Sequence, residues 1–232
     1  MRRLVLFDID GTILLTSGAG RRAITAALAG EMASHDAFEH IRFDGKTDPQ
    51  IVAELLEAAR HPSASDSEYI SAVCHRYVAL LEAELLEGRS RTTVMPGIFE
   101  LLDALEHEAG VVLGLLTGNV ARGAELKLGA AGLDPARFRI GAYGSDSAHR
   151  PDLPAIAARR AHPLFGREPR GSEVIIIGDT PADMTCGLSI GARAIGVATG
   201  SYGTGDLSAA GAHAVFGDLS DTALVLESIL GE

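Results

Sequence analysis

The stretch Leu4-Val5-Leu6-Phe7-Asp8-Ile9-Asp10-Gly11-Thr12 decides the fold of this chain. An unbroken apolar run that ends in an acidic, glycine-containing turn suits a parallel strand buried on both faces and followed by a tight loop. Runs of the same kind recur at 111–116, 173–177 and 193–197, with a weaker one at 139–143. Between them, segments 96–108, 120–131, 153–162 and 181–190 carry apolar residues at the three-to-four spacing of a helix that buries one face. Strand and helix therefore alternate, and the pattern predicts an α/β fold built on a doubly wound, Rossmann-like parallel sheet.

The alternation breaks between residues 16 and 94, where helical patterns at 21–32, 49–60 and 67–86 stand without a strand. Such an insert is too long for one strand-to-helix connection, so it reads as a second, all-helical domain. The expected division is a discontinuous core of residues 1–16 and 92–232 and a helical cap of residues 17–91. Gly18 and Gly20 on one side, and the segment from Gly88 to Met95 on the other, are the expected flexible connectors, and Pro96-Gly97 restarts the core. The Pro-, Gly- and Arg-rich stretch 162–171 reads as a surface loop.

Composition narrows the function. The chain has 232 residues, 47% hydrophobic and 22% charged, which is enough for a full core, and it has no Trp. A formal charge of −11 disfavours binding to a nucleic-acid backbone, which needs clustered Lys and Arg. An acidic chain that handles anions needs local positive charge, and a metal ion is one source. Cys74 and Cys186 lie far apart without metal-ligand spacing and read as free, buried thiols. Asp8 and Asp10 interrupt the first apolar stretch before a signal core or membrane span could form, so a soluble, cytoplasmic protein without a membrane partner is expected.

In an open α/β sheet, ligands gather at the carboxyl ends of the strands. There the sequence places Asp8-Ile9-Asp10-Gly11-Thr12, Thr117-Gly118-Asn119 and Gly178-Asp179-Thr180-Pro181-Ala182-Asp183. A single Asp after a strand is ordinarily a turn or helix cap. Caps do not require acids at three strand ends to converge, so the set reads as a site. Converging carboxylates repel, and a hard divalent cation such as Mg²⁺, with Asp8 and Asp179 as side-chain ligands, relieves the repulsion. Strand alternation also puts Asp8 and Asp10 on one face, where both can flank a reacting centre.

These three motifs, D-x-D-G-T at 8–12, L-T-G-N at 116–119 and G-D-T-x-x-D at 178–183, resemble the haloacid dehalogenase superfamily, and the position of the helical insert is similar to that in its phosphoglycolate phosphatase and β-phosphoglucomutase branch. The resemblance spans essentially the whole chain. It implies that Asp8 is a nucleophile that becomes an aspartyl phosphate and that Asp10 is general acid, then base, and a backbone-carbonyl ligand to Mg²⁺. Asp179 would complete the metal site and Asp183 would support it from behind. Gly11, Thr12, Thr117 and the N–H groups of Gly118 and Asn119 would hold the phosphate at a helix start.

One departure stands out. The superfamily usually places a Lys before the last acidic motif, whereas no Lys follows Lys127 here and Arg150-Pro151 occupies the equivalent place. Arg binds phosphate bidentately but is not interchangeable with Lys, and His149 competes for the role. In the cap, the segment 43–49 resembles a specificity loop, with Lys46 and Thr47 as substrate contacts. Thr47 or Asp48 can equally cap a helix beginning at Pro49.

The leading expectation is a Mg²⁺-dependent phosphatase acting on a small phosphorylated metabolite. A sugar phosphomutase of the same fold, which returns the phosphoryl group to substrate, is the alternative. Dehalogenation fits less well because it has no need of Asp10. A non-catalytic phosphate-binding module would be expected to have lost Asp8, Asp10 or Asp179.

Overall fold

The computed structural model describes residues 2–30, 40–87 and 91–231. Six parallel strands form one sheet in the order β5-β4-β1-β6-β7-β8: β1 is Arg3–Phe7, β4 Val111–Thr117, β5 Ile140–Tyr143, β6 Val174–Gly178, β7 Arg193–Val197 and β8 Ala214–Phe216. All five residues of β1 are buried, as expected of a strand covered on both faces.

Alternation along β1 builds two layers. Val5 and Phe7 pack with Leu101, Leu105 and Ala124 of α4 (Ile98–His107) and α5 (Ala121–Ala130), and with Val225 of α9 (Thr222–Leu230). Leu4 and Leu6 face the other way, against Leu153 and Ala157 of α6 (Leu153–Phe165) and Cys186 of α7 (Pro181–Cys186). α8 (Thr204–Ala209) covers β7 and β8.

The weak strand predicted at 139–143 is present as β5. The helix predicted at 181–190 is split: α7 stops at Cys186, and a separate 3-10 turn spans Leu188–Ile190. A Cβ on Gly187 would stand 2.5 Å from Ile176 Cδ1, so the close approach of this turn to the sheet needs glycine. α6 runs to Phe165, into the stretch read as a loop, before Gly166 ends it at φ 77°.

The insert after β1 is helical: α1 (Ala19–Leu28), α2 (Asp48–Ala58) and α3 (Ser67–Glu87). Their inward faces share a hydrophobic cluster of their own, with Ile24, Leu28, Val52, Leu55, Tyr77 and Leu81 at its centre. Where the chain leaves and re-enters the core, β2 (Leu14–Leu15) and β3 (Thr93–Val94) form a two-stranded antiparallel ribbon. Ser17 and Gly18 beside it have φ 49° and 81°. The predicted end of the first cap helix at Met32, and the connector Gly88, lie outside the described residues.

Candidate active site

β1 lies between β4 and β6, so the topology sets the ends of the motif-bearing strands side by side. Asp8 follows β1, and its N–H donates to Ile177 O at 2.9 Å. Asp179 follows β6, and Asp183 sits in the first turn of α7. Carboxylate oxygens of Asp8, Asp179 and Asp183 lie within 4.8 Å of one another, and all three residues are buried. The loops close tightly on Asp179. A Cβ on Gly11 (φ 86°) would stand 2.3 Å from its Oδ2, and one on Gly200 only 1.8 Å away. Thr12 Oγ1 donates to Asp179 Oδ1 at 3.1 Å.

Arg150 opens a 3-10 turn and is 4% exposed. Its Nη2 lies 3.2 Å from Asp8 Oδ1 and donates to Asp183 Oδ1. Asp183 Oδ2 accepts from the Thr180 N–H at 3.0 Å and the Thr180 hydroxyl at 2.6 Å, so Asp183 is occupied on both oxygens. His149, the competitor in sequence, is 71% exposed at its side chain and pairs with Asp152. Of the two, Arg150 is the one that contacts Asp8.

Burial pushes the Asp8 carboxyl up to about 7, against the lowering influence of Arg150 and with Asp183 and Asp10 adding to the rise. Burial, then Asp183 and Asp8, push Asp179 up to about 9. Three buried carboxylates, of which one guanidinium pairs with Asp8 and Asp183 only, gather hard oxygen donors in excess of the local positive charge, the donor chemistry that fits a small divalent cation.

Asp10 is held separately. Lys127 Nζ reaches both of its oxygens at 2.8 and 2.6 Å, and Asn119 Nδ2 donates to Oδ2 at 2.7 Å. Asn119 also donates to the buried hydroxyl of Thr117, from Nδ2 at 2.8 Å and from its backbone N–H at 3.3 Å. The Asn119 N–H, expected to face phosphate, is thus engaged with Thr117, and its side chain serves Asp10. Lys127 escaped the sequence reading. Its signal was a cation on the stripe of α5 formed by Gly123, Ala124 and Leu128, all of which are buried.

The cap loop rests on this machinery. A Cβ on Gly118 would stand 2.0 Å from Lys46 O, and one on Gly45 would stand 2.7 Å from Ala182 Cβ. The Asp48 N–H donates to Gly118 O at 2.8 Å, and the Val120 N–H donates to Asp48 Oδ2 at 2.8 Å. A cavity of about 230 Å³ remains between the helical insert and the strand ends, lined by Asp8, Asp10, Lys46, Thr117, Gly118, Asn119, Arg150 and Asp179 among others. Of the predicted site residues, Thr47, Gly11, Thr12 and Asp183 do not line it. Thr47 accepts from the Gln50 N–H at 3.2 Å as an N-cap and donates to Ala148 O at 2.7 Å. Lys46 lines the cavity while paired to Glu54.

Residues 5–197 match the family model described as haloacid dehalogenase-like hydrolase. The chain belongs to this family. It is 26% identical, over 99% of its length and 96% of the relative's, to a probable phosphatase, IndB, of Dickeya dadantii. Its fold is similar to that of CbbY from Rhodobacter sphaeroides solved with phosphate (TM-score 0.74, 22% identity, 95% of this chain and 96% of that one). It is also similar to a β-phosphoglucomutase from Clostridium difficile (TM-score 0.73, 18% identity, 99% and 98%). No helix among the described residues is long and apolar enough to cross a membrane.

Proposed function

We propose that this hydrolase is a Mg²⁺-dependent phosphatase that cleaves a small phosphorylated metabolite through an aspartyl phosphate on Asp8. The observation that carries the reading is the pairing of two carboxylates with different surroundings at one strand end. Asp8 is buried against Arg150 and the acidic cluster, while Asp10 is clamped by Lys127 and Asn119 on the cavity wall.

Asp8 attacks the phosphorus atom, forming an acyl-phosphate bond as the ester P–O bond breaks, and Asp10 gives its proton to the departing alkoxide. Asp10 then takes a proton from water, whose oxygen attacks the phosphorus and releases inorganic phosphate and the Asp8 carboxylate. Arg150 complements the charge of the transferring group, Thr117 and the Gly118 N–H orient it, and Gly11 and Thr12 hold the loop around Asp179. Asp8, Asp179 and the Asp10 carbonyl would hold the Mg²⁺, which supplies charge neutralisation for the phosphoryl oxygens.

In the same reading, residues 17–91 are a cap that closes over a core of residues 1–16 and 92–232, and Lys46 contributes to choice of substrate. The family resemblance of IndB favours hydrolysis over the mutase alternative. Measuring inorganic phosphate released from a panel of phosphorylated metabolites with Mg²⁺ tests the proposal. Wild type should turn over at least one, and Asp8→Asn none. Turnover by Asp8→Asn at the wild-type rate would remove the nucleophile assignment.

A further inference from the structure

Tyr77, in the middle of α3, is fully buried, lines the same cavity, and has a hydroxyl without a hydrogen-bond partner. Leaving a buried hydroxyl unpaired costs about 1–3 kcal/mol, so an unpaired hydroxyl on a residue of the cavity wall is a group that a bound hydroxyl or a water would satisfy. Two glycines leave room around it. A Cβ on Gly20 would stand 3.8 Å from the Tyr77 hydroxyl and 3.4 Å from Lys127 Nζ, and one on Gly123 would stand 3.8 Å from that hydroxyl. The hydroxyl and the ammonium therefore flank one small space between α1, α3 and α5. Asp48, buried and spending Oδ2 on the Val120 N–H, lines this cavity too.

Charge narrows what can enter. Of the cations on the cavity wall, Lys46 pairs with Glu54, Lys127 with Asp10, and Arg150 with Asp8 and Asp183. Arg21 lies over the Phe43 ring at 3.9 Å and donates to Ile41 O. Asp44 and Asp48 add negative charge on the cap side. A second anionic group on a substrate would meet carboxylates and cations already paired, whereas a neutral hydroxyl can donate to a carboxylate and accept from Tyr77 or Lys127. Size narrows it further. The cavity of about 230 Å³ is roughly eight times the ~30 Å³ that one water occupies in the liquid. Once a phosphoryl group takes its share, the room left suits a small leaving group.

We propose that Tyr77, with Lys127 and Asp48 on the same cavity wall, forms a leaving-group subsite for an uncharged hydroxyl, and that the substrate is a small polyol phosphate. The inference rests on the phosphatase reading and adds the class of alcohol that leaves.

The test measures phosphate release with Mg²⁺ from glycerol 3-phosphate and from n-propyl phosphate, which lacks the hydroxyls, by wild type and Tyr77→Phe. Wild type should favour glycerol 3-phosphate in kcat/KM, and Tyr77→Phe should cut that preference about tenfold, mainly through KM. Because the substitution deletes only an unpaired hydroxyl, the variant should melt no lower than wild type. An unchanged preference, a lowered melting temperature, or a wild-type preference for 2-phosphoglycolate would overturn the subsite while the phosphatase reading stands. Failure of wild type to release phosphate from any of these esters or from acetyl phosphate, a small activated donor, would overturn the phosphatase reading and the subsite with it.

Discussion

Replacing Arg150 by Ala should damage both stability and turnover, because one buried guanidinium serves two carboxylates. The Arg150 Nη2 to Asp8 Oδ1 distance is 3.2 Å, and at that separation two unit charges attract by about 5 kcal/mol for an effective dielectric of about 20. The attraction is offset by the cost of burying the charges, but Arg150→Ala leaves that cost on Asp8 and Asp183 without the partner. Breaking such a pair typically costs about 3–5 kcal/mol. Urea titration of metal-free protein should therefore show a fall in stability of that order. In the proposed reaction the transferring phosphoryl group also loses a preorganised donor, a loss of about a hundred- to a thousandfold in kcat. Arg150→Lys should recover part of each, since an ammonium keeps the charge but not the planar guanidinium that holds Nη2 against both Asp8 and Asp183. An Arg150→Ala protein with unchanged urea midpoint and near-normal rate, beside a severely impaired His149→Ala, would refute the reasoning.

Asp48 offers a pH test. Burial raises its carboxyl from 3.8 to about 6, against the lowering influence of Lys127 and the Val120 N–H, so the folded state holds this proton more tightly than the unfolded chain. Its contribution favours folding below about pH 4 and is lost as pH rises through about 6, by up to about 3 kcal/mol. Asp48→Asn, which keeps an acceptor for Val120, should thus gain melting temperature relative to wild type as pH rises from 4 to 7, and a constant gap would contradict this. Lys46→Ala should lose under about 1 kcal/mol in urea, because the pair with Glu54 is partly exposed, yet change the ranking of phosphate esters through KM. An equal loss of kcat on every ester would place Lys46 in the chemistry instead. Ca²⁺ in place of Mg²⁺ should suppress turnover, since its longer and more numerous oxygen contacts disturb an in-line arrangement; full activity in excess chelator would remove the metal from the reaction.

The core was legible because buried parallel strands write themselves as apolar runs, and β1, β4, β6 and β7 all do so. Edge strand β8 is only Ala214–Phe216, half-buried throughout, too short and too mixed to carry a period. The break at Gly187 was hidden because apolar spacing continues through it to Ile190, while the constraint comes from Ile176, far away in sequence. In the site, the acids were readable from spacing after strands. Their partners were legible only in part: Arg150 stands out as a site cation, but its pairing with Asp183 across 33 positions does not, nor does that of Lys127 with Asp10 across 117. Such pairs follow from topology and helix facing, which motifs do not encode. Thr47 shows the converse, since its resemblance pointed to substrate while its local chemistry, a hydroxyl before Asp48-Pro49, already described the cap it forms.

The acidic character of the chain, with its formal charge of −11, meets its proposed anionic substrate by a division of labour among cations. Arg150 and Lys127 are both buried, and each is spent on a carboxylate of the site: Arg150 beside Asp8, Lys127 on Asp10. Neither side chain brings net positive charge, because the carboxylates they face outnumber them. What they do is fix the two carboxylates in separate places, so that in the proposed reaction one can attack while the other exchanges a proton. The remaining charge deficit falls on the cluster of Asp8, Asp179 and Asp183, where burial first, and then the neighbouring carboxylates, raise Asp8 and Asp179. A divalent ion held there would lower the cost of ionising Asp8 and supply the positive charge that the proposed phosphate dianion needs. On this account nucleophile activation and substrate admission are one electrostatic event, and metal binding and substrate binding should strengthen each other.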